Sequence, residues 1–110
     1  MSHQHRERAA GRWNTLSFAE QMANIGSEIE RTISWKKKGR PEISSRAFER
    51  ALELIDLTVA DAKNLTRLRE LLRVREAVSD HFYFDNSYRS TPESWQRYFG
   101  SFLIAVRGKR

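Results

Sequence analysis

Residues 16–41 read "LSFAEQMANIGSEIERTISWKKKGRP", a helix written with both of its ends. "SFAE" is a capping box: the Ser17 hydroxyl accepts from the backbone N–H of Glu20, and the Glu20 carboxylate reaches back to the N–H of Ser17. Phe18, Met22, Ile25, Ile29 and Ile33 follow at spacings of four and three, which places them in one narrow stripe. The far end is equally marked. Lys36, Lys37 and Lys38 suit the negative end of the helix dipole, Gly39 takes a left-handed cap, and Pro41 cannot extend the ladder.

Outward from this helix the same pattern recurs three times. Ser44 or Ser45 is expected to cap a second helix whose inward stripe is Phe48, Ala51, Leu52, Ile55, Thr58 and Val59. Leu54 and Leu57 fall well away from that stripe. After the short connection "ADAKN", a third helix is expected from about Asn64 or Thr66 to Phe84, with Leu68, Leu71, Leu72, Val78 and Phe82 inward. The loop "DNSYRSTPESW" ends in the plainest start signal of the chain: Thr91 as N-cap, Pro92 at the first helical position, and Glu93 where the dipole favours an acid. The fourth helix turns Trp95, Tyr98, Phe99, Phe102 and Val106 inward.

No run alternates with period two long enough for a strand, and no repeat is visible. Four amphipathic helices with short connections favour antiparallel neighbours. The expected fold is therefore all-α, an up-down-up-down antiparallel four-helix bundle over residues 15–107, with a flexible basic arm at 1–14 and a basic tail at 108–110. Apolar residues outside the stripes, Leu54, Leu57 and Ile104, together with Tyr83, Phe84 and Tyr88, suggest a surface for self-association, hence a homo-oligomer.

A chain of 110 residues reads as one domain able to bury a core. It has no cysteine, which removes disulfides, thiol nucleophiles and Cys-based zinc sites and suits a reducing cytoplasm. No apolar run is long enough for a membrane span, and "MSHQHRERAAGR" lacks the apolar core of a signal peptide. A cytoplasmic protein without membrane contact is the expectation. The net charge of +6 points to an acidic partner, and nucleic acid, RNA or DNA, is the commonest one there. A protein partner is the further option.

The excess charge lies toward the ends: residues 87–110 hold five Lys/Arg against one Asp/Glu, whereas residues 43–86 hold seven against eight. In an up-down-up-down bundle Arg6, Arg8 and Arg12 converge with Arg107, Lys109 and Arg110 at one pole. Lys36, Lys37, Lys38 and Arg40 form a second cluster at the other. Both are candidate phosphate-binding surfaces, although helix-end dipole compensation alone also accounts for cations there. Trp13 and Trp35 beside them offer stacking platforms, or simply close the ends of the bundle.

The third helix carries the one ambiguous feature. Arg75 falls among the apolar positions of "LLRVREAVSDHFYF", residues 71–84, and His81 follows six residues later. A guanidinium facing a core needs a carboxylate. Glu28 on the first helix and Asp56 on the second both flank their stripes, and Glu28 is the preferred partner in a buried, two-pronged ion pair. The alternative is chemical. Arg75 and His81 resemble the Arg-x(4–6)-His motif of the HEPN ribonucleases, small helical dimers, and that resemblance implies a metal-independent ribonuclease, or toxin. Arg75 would then stabilise phosphate charge and His81 orient or protonate a 2′-oxygen. The motif is only two residues long, and Glu76 stands where that family usually has a small polar residue or histidine.

No Gly-rich phosphate loop, no inward Glu-x-x-His pair and no framed Ser/His/Asp set is present, so neither a metal nor another cofactor is expected. Residues 15–100, through "LSFAEQMANIGSEIERTISWKKKG", "AFERALELIDLTVADAKN", "RLRELLRVREAV" and "DNSYRSTPESWQRYF", resemble a family of short bacterial and archaeal helical proteins. In fold and size the chain is similar to the ribosomal-RNA intervening-sequence proteins and to the accessory variability proteins of diversity-generating retroelements. That resemblance implies a basic, oligomeric, non-catalytic bundle working with RNA, DNA or a reverse transcriptase. It rests on architecture and charge and transfers no site residue. Two further readings remain, the ribonuclease just described and a structural protein–protein interaction module.

Overall fold

A computed structural model describes residues 9–108. The sequence expectations for Arg6, Arg8, Lys109 and Arg110 lie outside the described residues. The described chain is helical without strands: α1 Phe18–Lys37, α2 Pro41–Ala60, a 3-10 turn Ala62–Arg67, α3 Leu68–Tyr83 and α4 Pro92–Arg107, preceded by a short helical turn at residues 9–13. Among these residues no helix is long and apolar enough to cross a membrane.

The helix ends follow local chemistry. Ser17 and Glu20 exchange both bonds of the capping box, at 3.1 and 2.9 Å. Gly39 takes φ +73°, and the N–H groups of Gly39 and Arg40 return to the carbonyls of Lys36 and Trp35 at 3.1 and 2.9 Å. These two bonds absorb carbonyls the last turn leaves unpaired. Thr91 caps α4 by accepting from the N–H of Ser94, and Pro92 follows it. The second helix departs from expectation at its start: it begins at Pro41, with Arg40 as an N-cap that makes no side-chain bond. Proline presets the helical φ and lacks the N–H that would go unpaired there, so no serine cap is needed. Ser44 is instead buried within α2 and donates to the Thr32 carbonyl at 2.7 Å, tying α2 to α1.

The core gathers Met22, Ile25, Ile29 and Ile33 from α1, Phe48, Ala51 and Ile55 from α2, Leu71, Val74 and Val78 from α3, and Trp95 and Phe99 from α4. Each fully buried aliphatic or aromatic side chain contributes on the order of 1.5–3 kcal/mol. The inward line of α3 is Leu71, Val74 and Val78; Leu72, expected inside, is 49 % exposed. At 100° per residue Leu71 and Leu72 cannot both face a line that Val74 and Val78 define.

Paired contacts orient the helices. Thr32 meets Ser44 and Glu28 meets Arg50, so α1 and α2 run antiparallel. Phe18 meets Phe102 and Glu30 meets Gln96, which gives α1 and α4 the same relation. Gly26 permits the α1–α4 approach: a Cβ there would lie 2.6 Å from the Cβ of Phe99.

The described part of the N-terminal segment packs against the helices. Residues 9–13 are helical, and Trp13 is buried with its indole N–H donating to Thr58 Oγ1 at 2.9 Å. Gln21 links the same region inward, donating to the Trp13 carbonyl at 3.1 Å and to Asp61 Oδ2 at 2.8 Å, while Asn64 donates to Gln21 Oε1 at 2.8 Å. Trp13 is large and apolar, so docking it removes surface from water and offsets part of the entropy of ordering these residues.

Candidate functional site

Arg75 projects from α3 toward α2, where its Nε donates to Asp56 Oδ1 at 2.7 Å and its Nη2 to Oδ2 at 3.4 Å. The two-pronged pair exists, but with Asp56 instead of Glu28, and at the surface: the two side chains are 40 % and 57 % exposed. The reason is helical phase. Val74 holds the inward line, and the next residue is rotated 100° off it, toward the exposed flank of α2. The bond to Asp56 raises the guanidinium's pKa further above its ordinary value, against a smaller opposing effect of desolvation.

Glu28, the preferred partner, sits on the other side of α2. Its carboxylate is 10 % exposed and is held by Arg31 on its own helix and by Arg50 Nε of α2 at 2.9 Å. Glu28 is buried, but its carboxylate pairs with Arg31 and Arg50 and serves the α1–α2 register instead of Arg75.

His81 belongs to a different environment from Arg75. Six residues turn a helix by 600°, leaving the two side chains about 120° apart around α3. The His81 Nδ1 lies 3.0 Å from Ser90 Oγ, which also accepts the Trp95 indole N–H at 3.0 Å. The loop that brings Ser90 there is braced by left-handed residues Asn86 and Arg89, at φ 54° and 53°. It is anchored by Asp80, whose carboxylate accepts the N–H groups of Tyr88 and Ser87 at 3.0 and 2.9 Å. Those bonds, led by that of Tyr88, hold the Asp80 carboxyl below the usual range.

The two candidates therefore line separate clefts. Arg75 borders an open one of about 510 Å³ on the outer face of α3, shared with Leu72, Glu76, Asp80, Phe84 and Tyr88. Two carboxylates there oppose a phosphate. His81 borders a cleft of about 290 Å³ with Ile33, Lys36, Lys37, Phe82 and Pro92. Here an imidazole and two ammonium groups line one cleft where α1 ends and α4 begins, an arrangement suited to an anion.

Two residues of the second basic cluster, Lys36 and Lys37, thus line a cleft. Lys36, Lys37, Lys38 and Arg40 are all exposed and have no ion-pair partner among the described residues; Lys38 Nζ stands 4.7 Å over the Trp35 ring. Of the first cluster, Arg12 and Arg107 are described, and both are exposed. Among the described residues no three His, Cys, Asp or Glu side chains group as a metal site.

The expected interface residues divide. Tyr83, Phe84, Tyr88 and Ile104 are exposed. Leu54 and Leu57 are not: they are half-buried and share a cleft with Ala9, Arg12, Trp13 and Leu16. The docked N-terminal segment is the second partner these leucines needed. Leu65, 73 % exposed, is an apolar surface residue that sequence reasoning passed over. The buried knot of Gln21, Asp61 and Asn64 was also missed; its only local signal is Asp61, which accepts the Lys63 N–H at 3.2 Å as a cap of the 3-10 turn. No protein family matches this chain, and no characterised protein or solved structure is similar to it.

Proposed function

We propose that the protein is a non-catalytic, oligomeric four-helix bundle of up-down-up-down topology that binds RNA or DNA in the cytoplasm through phosphate contacts with little sequence preference. The observation that carries this reading is the cleft where Lys36, Lys37 and His81 converge, flanked by exposed Lys38 and Arg40. Unpaired cations around a concave surface bind a phosphate backbone by releasing its counterions, and the Trp35 ring beside them is a stacking platform. The antiparallel contacts of α1 with α2 and α4 and the short connections support the topology.

Salt titration of binding to a generic RNA and a generic DNA duplex, followed by fluorescence anisotropy, tests the reading. The expected result is a log–log slope of about −0.9 per phosphate neutralised on duplex. Replacing Lys36, Lys37, Lys38 and Arg40 by Gln should flatten it by about two to four contacts. Affinity that ignores both salt and these substitutions would sink the proposal and favour a protein–protein interaction module.

A ribonuclease remains the second reading, because His81 stands among cations. Its geometry differs from the Arg-x(4–6)-His expectation, since Arg75 is engaged by Asp56 in another cleft. Incubation with RNA in chelator distinguishes it: cleavage abolished by His81→Ala would establish the enzyme, and intact RNA would dismiss it.

A further inference from the structure

The solvent side of α3 carries charge in an order that makes it complementary to itself. At 100° per residue, Arg69, Leu72, Arg73, Glu76 and Asp80 span an arc of about 100° directly opposite the buried line of Leu71, Val74 and Val78. The N-terminal half of that arc is basic and the C-terminal half acidic. Leu72, near the middle of the helix, is 49 % exposed, and exposed Leu65 and Phe84 lie in the chain just before and just after α3. The cleft of about 510 Å³ occupies the acidic half.

From these features we infer that this face is the contact surface for a second copy of the chain, docked antiparallel about a two-fold axis between residues 74 and 75. Within α3, positions 69 and 80, and positions 73 and 76, are each equidistant from that point. Antiparallel docking therefore sets Arg69 against the partner's Asp80 and Arg73 against the partner's Glu76, each contact occurring twice as a two-fold interface requires. Parallel docking would stack Arg on Arg and Glu on Glu. A polyanion would meet repulsion over the acidic half, and a cationic partner over the basic half, so a surface with the same polarity reversed is the match. The acids are already positioned to receive: Glu76 is held by the Tyr88 hydroxyl at 2.9 Å and Asp80 by two backbone N–H groups. Arg69 and Arg73 are exposed and have no ion-pair partner among the described residues.

The inference supplies an interface for the oligomer of the proposed function and rests on that reading only for self-association. Nucleic-acid binding by the Lys36 to Arg40 turn stands or falls separately.

Sedimentation equilibrium of the full chain should give a mass twice the 12.9 kDa of one chain. Arg73→Glu and Glu76→Arg should each weaken dimerisation by about tenfold or more, because every substitution converts two attractive contacts into two repulsive ones. Mixed in equal amounts, the two variants should recover an affinity close to that of the unmodified protein, since both contacts in the mixed dimer again join opposite charges. This recovery also shows that each variant folds. A monomer at every concentration, a dimer indifferent to both substitutions, or a mixture that fails to recover overturns the inference. Anisotropy on RNA, run in parallel, reports on the nucleic-acid reading independently.

Discussion

Replacing Gly26 by Ala tests the close approach of α1 and α4, and two opposing effects set its sign. In a helix interior Ala is favoured over Gly by about 1 kcal/mol. Against this, the new methyl would sit 2.6 Å from Phe99 Cβ and 3.2 Å from its Cγ, where ordinary carbon contacts need about 3.5–4.0 Å. The ring cannot swing aside to relieve it, because the nearest atom is Cβ, fixed to the backbone, and Phe99 is 4 % exposed between Trp95 and Tyr98. So α4 must retreat by about 1 Å, an overpacking cost of about 1–3 kcal/mol. The net expectation is a destabilisation of up to about 2 kcal/mol. Gly100 supplies the control: it is also helical, and a Cβ there meets nothing within 4 Å. Gly100→Ala should therefore stabilise by about 0.5–1 kcal/mol. Urea unfolding by far-UV circular dichroism at one fixed protein concentration measures both midpoints, concentration being held because self-association would shift them. If Gly26→Ala stabilises as much as Gly100→Ala, then α1 and α4 are not in close contact and the packing argument fails.

Three further outcomes are expected. Burial pushes the Asp61 carboxyl up, but hydrogen bonds from the Lys63 ammonium, the Gln21 amide and the Lys63 N–H outweigh it and hold the pKa below the ordinary value of 3.8. Its stabilising contribution is thus present above about pH 4 and lost as pH falls through the depressed value. Asp61→Asn should cost about 1–3 kcal/mol at pH 7 and flatten the acid limb of a stability–pH curve; an unchanged limb contradicts the assignment. Glu28→Gln should cost more than Asp56→Asn, which should stay within about 1 kcal/mol because the Arg75 pair is exposed, and denaturation midpoints check the order. The Trp13 indole N–H should exchange slowly with solvent by NMR and become fast in Thr58→Val; rapid exchange in the unmodified protein would mean that residues 9–13 are not docked.

Self-contained signals were legible from the chain alone. The Ser17 box, the Gly39 and Pro41 stop and the Thr91–Pro92 start each lie within a handful of residues, and the chemistry that caps a helix is local. Composition and spacing likewise sufficed for an all-helical chain and for the apolar line of α1. Arg75 was rightly matched to a carboxylate, yet Asp56 and Glu28 could not be told apart. Both flank their stripes, and choosing between them requires knowing how α3 is rotated against α2.

The amino-acid order by itself determined the ends marked by Ser17, Gly39 and Thr91, the apolar line of α1 and where the excess cations fall, because each depends on near neighbours and helical period. Tertiary structure alone decided the rest. It docked Trp13 over Leu54 and Leu57, drew Ser44 to the Thr32 carbonyl, and separated Arg75 from His81 while joining His81 to Lys36 and Lys37. Those outcomes follow from the azimuth and distance between helices, which are set by the packing of the whole core, including the space Gly26 leaves for Phe99.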